Sequence, residues 1–251
     1  MAIASKHLGA VYNTPEFPDV ISSRTYVICG DGCLQEGITS EASSLAGHLG
    51  LGGLIILYDD NHITIDRGTD LAFTEDVALR YEAYGWQVLT VDDVANGLDA
   101  LRAAIEAGKN TPDKPTLIKI RTEIGFGSPN KQGLSASHGG PLGISELEAV
   151  KSRLYGMNPN ESFFVDEDVA AYYEEQAAEG DRARVAWEAN FARYREAYPE
   201  KAAELERRFN HELAEGVIDN LPAFIFGKDK ANSTRKFSGA CISALASRVP
   251  E

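Results

Sequence analysis

Apolar positions along this chain come in two rhythms. Short unbroken runs at 25–29, 54–58, 86–91 and 115–121 are rich in Val, Ile and Leu and end at polar or Gly residues, the signature of strands buried on both faces. Between and before them, apolar residues recur at helical spacing. These stretches predict a helix to about residue 13, one over 41–51 closed by Gly50 to Gly53, one over 75–84 ended by Gly85, and one over 97–108 ended by Gly108. Strands alternating with helices of ten residues or so predict an α/β fold with a doubly wound, mostly parallel sheet. From Ser145 the pattern changes to charged amphipathic stretches at 145–155, 166–179, 182–197 and 199–214, read as a helical arm or cover over the sheet. Residues 216–234 read as a linker and 237–251 as a further helix. The divisions are therefore 1–145, 146–215 and 216–251, with no internal repeat.

The 251 residues allow one large domain or somewhat more, and 43% hydrophobic with 25% charged residues is a globular composition. A net charge of −14 argues against a nucleic-acid or anionic-membrane surface, so any polyanion needs a metal, a helix N-terminus or a local basic spot. No run approaches the roughly 18 apolar residues of a membrane span, and the opening residues lack the order of a secretory signal. Cys29, Cys33 and Cys241 follow no zinc or disulfide spacing, which fits a reducing, cytoplasmic setting. Cys29 and Cys33 are expected to pack as small hydrophobes beside a Gly-Asp-Gly turn. The first helix has no N-terminal cap signal and the last is cut short, so both ends read as cuts.

The chemistry concentrates where the first two strands stop. The first ends at Gly30-Asp31-Gly32 and the second at Asp59-Asp60-Asn61, with Asn61 thirty positions after Asp31. In a parallel sheet both tips lie on one edge, where open α/β folds place ligands. An Asp and an Asn converging there suit a hard cation carrying a diphosphate. Gly32 lets the backbone approach a phosphate without a Cβ in the way. Taken singly, Gly-Asp-Gly and Asn61 are ordinary turn residues; the pairing of the two gives them weight. Asp59 and Asp60 are read as shaping the turn. After the fourth strand, 125–141 is a long Gly-, Ser- and Pro-rich loop containing His138, and a loop of that length is usually functional. His7, His48 and His211 have no such setting.

GDGCLQEG followed by YDDNHITID resembles the thiamine-diphosphate enzymes, and the order of EASSLAGHL, EDVALRYEAYGW, TEIGFGS, HGGPLG and STRKFS resembles transketolase across nearly the whole chain. The resemblance implies thiamine diphosphate as cofactor with Mg²⁺ or Ca²⁺, the ion held by Asp31, Asn61 and the Ile63 carbonyl. It implies transfer of a two-carbon ketol unit from a ketose phosphate to an aldose phosphate in the pentose phosphate pathway. His138 is then a catalytic residue contacting diphosphate and donor sugar, and Arg235 grips the sugar phosphate through a bidentate contact. Glu36 and Glu41 become carboxylates at a homodimer interface, and 216–251 a linker leading to a pyrimidine-binding domain. Since further histidines and the aminopyrimidine-binding glutamate of the family have no counterpart here, the chain is expected to be a fragment carrying the metal–diphosphate half-site, inactive alone. A subunit of a split transketolase and a noncatalytic cofactor-binding paralogue are the alternatives.

Overall fold

The computed structural model describes residues 1–219, 221–246 and 248–249, which form two compact units, 1–183 and 184–251. The first unit opens with helix α1 (Ala2–Tyr12) and is built on strands β1 (Thr25–Gly30), β2 (Leu54–Asp60), β3 (Gln87–Val91) and β4 (Thr116–Arg121). All four are parallel, in the order β1-β2-β4-β3. Helices cover both faces, as the alternating pattern requires. On one face α2 (Asp31–Gln35), α3 (Gly37–His48) and α4 (Val77–Ala83) bring Leu34, Ala46, Val77 and Tyr81 onto Tyr58, Trp86 and Leu117. On the other, α5 (Asp99–Lys109) packs Leu101, Ala104 and Ile105 against Ile55, Val91, Ile118 and Ile120. Alternation along β2 sends Ile56 and Tyr58 to the first face and Ile55 and Leu57 to the second.

Four local signals decide these boundaries. Asp76 caps α4 by accepting from the Leu79 N–H at 3.1 Å. Gly85, at φ +84°, ends it in the left-handed conformation that glycine adopts without a Cβ clash. Trp86 donates its indole N–H to the Ser43 carbonyl at 2.9 Å and meets Tyr81 edge-on with centroids 5.0 Å apart, which ties α3 to the start of β3. Gly47 permits the close approach, because a Cβ there would stand 1.8 Å from the Tyr84 carbonyl oxygen.

Several elements differ from the sequence expectation. The helix placed at 41–51 begins earlier, at Gly37, and is preceded by the short α2; Glu36, at φ −68° and ψ 131°, breaks the two. Two glycines and an isolated charge hide this start from a hydrophobic pattern. After α6 (Ile144–Leu154), the helices expected at 166–179 and 182–197 are one, α7 (Glu167–Ala197), because Gly180 weakens a helix but does not stop it. Residues 167–186 of it are exposed throughout. α8 (Pro199–Phe209) ends short of 214, and α9 (Thr234–Ala246) starts three residues before the expected 237. The remainder of that last expected helix reaches residues outside those described.

Candidate functional site

β1 and β2 run in register from Thr25↔Leu54 to Gly30↔Asp59, so Asp31 and Asn61 leave neighbouring strands at one edge of the sheet. Asp31 becomes the first residue of α2 and is only 2% exposed. The Tyr58 hydroxyl donates to Asp31 Oδ1 at 2.5 Å, with Asp60 Oδ1 a more distant second acceptor at 3.1 Å. Burial, then the bond to Asp31, pushes the Tyr58 phenol well above its ordinary pKa, so it stays a donor. The other carboxylate oxygen, Oδ2, is buried and finds no hydrogen-bond partner among the described residues. An unpartnered buried carboxylate oxygen is costly, and native proteins satisfy such an oxygen with an ion, a ligand or an ordered water.

Asn61 is set by two contacts. Its Nδ2 donates to Asp59 Oδ2 at 3.2 Å, and its Oδ1 accepts from the Ile63 N–H at 2.9 Å, leaving a second lone pair on that oxygen. Asp59 is itself anchored by the Thr122 hydroxyl on the far side. Between Asn61 and Ile63 the chain turns sharply at His62, whose φ of +61° is the left-handed region that a side chain enters at some cost. The backbone bonds on either side, Thr69 N–H to His62 O at 3.0 Å and Thr64 N–H to Arg67 O at 2.8 Å, fasten that turn. Asp60 points elsewhere, toward Lys119 at 3.4 Å and His62 at 3.1 Å.

Asp31, Gly32, Asn61, Ile63 and His138 line one cavity of about 670 Å³, whose walls all come from the first unit. The position a Gly32 Cβ would take is open space, so the backbone there admits a bulky anion. His138 is exposed on its rim, following a 3₁₀ turn at Ser135–Ser137. Cys33 lines the cavity too and is exposed, contrary to its expected packing, because the first turn of α2 aims it outward. Cys29 does pack inside, where burial pushes its thiol up to about 12. Glu36 and Glu41 are exposed at the start of α3, and Arg235 is exposed in the first turn of α9, in the second unit.

Among the described residues no group of three or more His, Cys, Asp or Glu is placed to hold a metal. The donor set is one carboxylate, one amide oxygen and one nearby backbone carbonyl. A cation preferring about six oxygens is left short until a ligand such as a diphosphate adds more. Within that limit the residues fit the group. Sequence reading did not single out Tyr58, or the pinning of Asn61 by Asp59. The available signal was alternation along β2, which puts Tyr58 and Asp60 on one face beside the end of β1.

The family description "Transketolase, thiamine diphosphate binding domain" matches residues 1–214. The whole chain is 49% identical over 250 residues to Transketolase 10 of Craterostigma plantagineum and 45% identical over 251 residues to transketolase of Scheffersomyces stipitis. In both cases it spans 36% of the relative's length. Among solved structures, a transketolase from Pichia stipitis in complex with sedoheptulose 7-phosphate matches 99% of this chain with a TM-score of 0.92 at 45% identity, over 36% of its own length. A transketolase from Leishmania mexicana matches with a TM-score of 0.91 at 39% identity, again covering 99% of this chain and 36% of its own.

Proposed function

Because this chain belongs to the transketolase family, we propose that it carries the metal–diphosphate half of a thiamine-diphosphate site used to move a two-carbon ketol unit between sugar phosphates. One observation carries the reading: Asp31, whose Oδ2 is buried and finds no partner among the described residues, lines the same cavity as Asn61, Ile63 and His138. Mg²⁺, or Ca²⁺ in its place, suits this all-oxygen set, with Asp31, Asn61 and the Ile63 carbonyl as the protein's ligands. Tyr58 and Asp59 act from behind, holding one oxygen of Asp31 and the amide of Asn61 so that the remaining oxygens stay available. Gly32 receives the phosphate against bare backbone.

Bound thiamine diphosphate supplies the nucleophilic carbon and the electron sink for ketol transfer. His138 would supply an imidazole at the cavity rim, where it would hold or pass a proton for the bound cofactor or substrate. Arg235 is assigned to the sugar phosphate on the ground that a guanidinium binds phosphate through two parallel bonds. Glu36 and Glu41 are assigned to a homodimer face, where their exposure on α3 leaves them accessible. The three free cysteines support a reducing, cytoplasmic setting, and pentose phosphate sugars are the proposed substrates. The divisions 1–145, 146–215 and 216–251 belong to the same proposal, the last leading toward a pyrimidine-binding domain.

The test is calorimetric titration of the chain with Mg²⁺ alone, with inorganic pyrophosphate alone and with both together. Binding is expected only with both, since neither completes the coordination shell, and Asp31→Ala or Asn61→Ala is expected to abolish it. Pyrophosphate binding that ignores Mg²⁺, or that survives both substitutions, defeats the assignment.

A further inference from the structure

The loop at 125–141 carries His138 to the cavity, yet it has no strand or long helix of its own to hold it there. Helix α6 follows the loop, and its first turn contributes Glu146, which is only 7% exposed. Both carboxylate oxygens are taken up by the loop. Oε2 accepts from the Ser128 hydroxyl and from the Asn130 backbone N–H at 3.1 Å, and Oε1 accepts from Asn130 Nδ2 at 2.6 Å. Ser128 is buried as well.

We propose that Glu146 is a positioning residue that clamps the 125–141 loop and so sets where His138 stands at the cavity. The functional weight of this rests on the cavity being the cofactor site; the clamp itself does not.

The connection from Glu146 to His138 is short and continuous. Asn130, held by Glu146, precedes Lys131, whose carbonyl accepts from the Ser137 hydroxyl at 2.7 Å; Ser137 precedes His138. The Lys131 ammonium donates to the Pro141 carbonyl at 3.2 Å, bracing the segment beyond His138. Gln132 accepts from the Gly127 N–H and donates to Glu123, both at 2.7 Å, closing the base of the loop. Gly125, at φ +65°, makes room for this, since a Cβ there would lie 2.6 Å from Ser137 Oγ. The hydrogen bonds from Ser128 and Asn130 also hold the Glu146 carboxyl below the usual carboxylate range, so at neutral pH it is an ionised acceptor. Such bonds are shorter and stronger than neutral ones. Deleting Glu146 removes three of the loop's bonds at once and leaves the buried Ser128 hydroxyl without its acceptor.

The experiment compares the full chain with Glu146→Ala, Glu146→Gln and, from the loop side, Asn130→Ala. Amide hydrogen exchange is read over 125–141 and over the strands 54–60 and 116–121, together with the histidine ring signals by NMR. In the Glu146 variants, exchange over 125–141 is expected to rise about tenfold or more while the strands stay protected. The His138 ring signals are expected to move and those of His7 and His48 to stay. Asn130→Ala should reproduce both effects more weakly. Wild-type exchange and His138 signals in Glu146→Ala would overturn the proposal. So would loss of strand protection in the Glu146 variants while Asn130→Ala leaves the loop as in wild type, since that is general destabilisation. No cofactor enters these readouts. Should Mg²⁺ and pyrophosphate together fail to bind the wild-type chain, the cofactor reading would fall while the clamp stood.

Discussion

Asp31 trades stability for a ligand. Its second oxygen is buried without a partner among the described residues, and leaving a charged group so placed costs about 1–3 kcal/mol or more. Asp31→Asn removes the charge and keeps an acceptor for Tyr58. The metal-free variant is therefore expected to melt no lower than wild type, while Mg²⁺ with thiamine diphosphate, which should raise the wild-type melting temperature, leaves it unmoved. A variant that melts lower without metal contradicts this account. Tyr58→Phe has the opposite profile. It strips from a buried carboxylate its only close donor among the described residues, so a stability loss of about 1–3 kcal/mol is expected, along with roughly 10–100-fold weaker metal–pyrophosphate binding. Denaturant unfolding and calorimetry read the two effects separately. Glu146 adds a pH dependence whose sign follows from its partners. The Ser128 bond first, then Asn130, and more weakly the charge of Lys131, lower its folded-state pKa below the unfolded value. Its contribution is thus complete above the usual glutamate pKa and is lost as pH falls through the lower folded value. Loop exchange over 125–141, corrected for intrinsic rates, should rise across that acidic window, and Glu146→Gln should flatten the profile.

At the scale of elements, α3 illustrates how a helix is placed by what it lacks. Gly47 lies against the Tyr84 carbonyl so closely that any side chain forces α3 away from the α4–β3 turn. Gly47→Ala is expected to destabilise by about 1–3 kcal/mol despite the better helix propensity of alanine. Gly37, in the same helix, has nothing within 4 Å of its would-be Cβ, and Gly37→Ala should be neutral or slightly stabilising. Equal unfolding midpoints for the two variants would show that the close approach carries no energy. The same element explains what a pattern of apolar residues misses. α2 is too short to show a period, and the Glu36 break is a backbone event with no apolar residue to mark it. α7 was legible as two helices but not as one, because Gly180 reads as punctuation and acts as none in a segment whose side chains are exposed.

Across the whole molecule, the sheet is unevenly covered. β4 lies inside, between β2 and β3, whereas β1 is an edge with Ile28 81% exposed and Tyr26 partly so. An apolar edge strand is a template for pairing with another chain. The −14 net charge opposes association at long range but is screened within about 10 Å at 0.1 M salt. Self-association that grows with salt is therefore expected, and Ile28→Lys should suppress it. Sedimentation velocity showing a salt-independent monomer for the wild-type chain would rule this out.

How much of this was written in the chain depends on how far apart the interacting residues lie. Strand and helix type are carried by neighbours two to four positions apart, so the βαβ order, the parallel sheet and the meeting of Asp31 with Asn61 at adjacent strand tips were determined by the sequence alone. The position of β4 between β2 and β3, the hold of Tyr58 on Asp31 and the clamp of Glu146 on the His138 loop were decided only by tertiary structure. Each of these joins groups whose contact depends on which faces pack, and a hydrogen bond between distant side chains leaves no periodic trace in the residues between them.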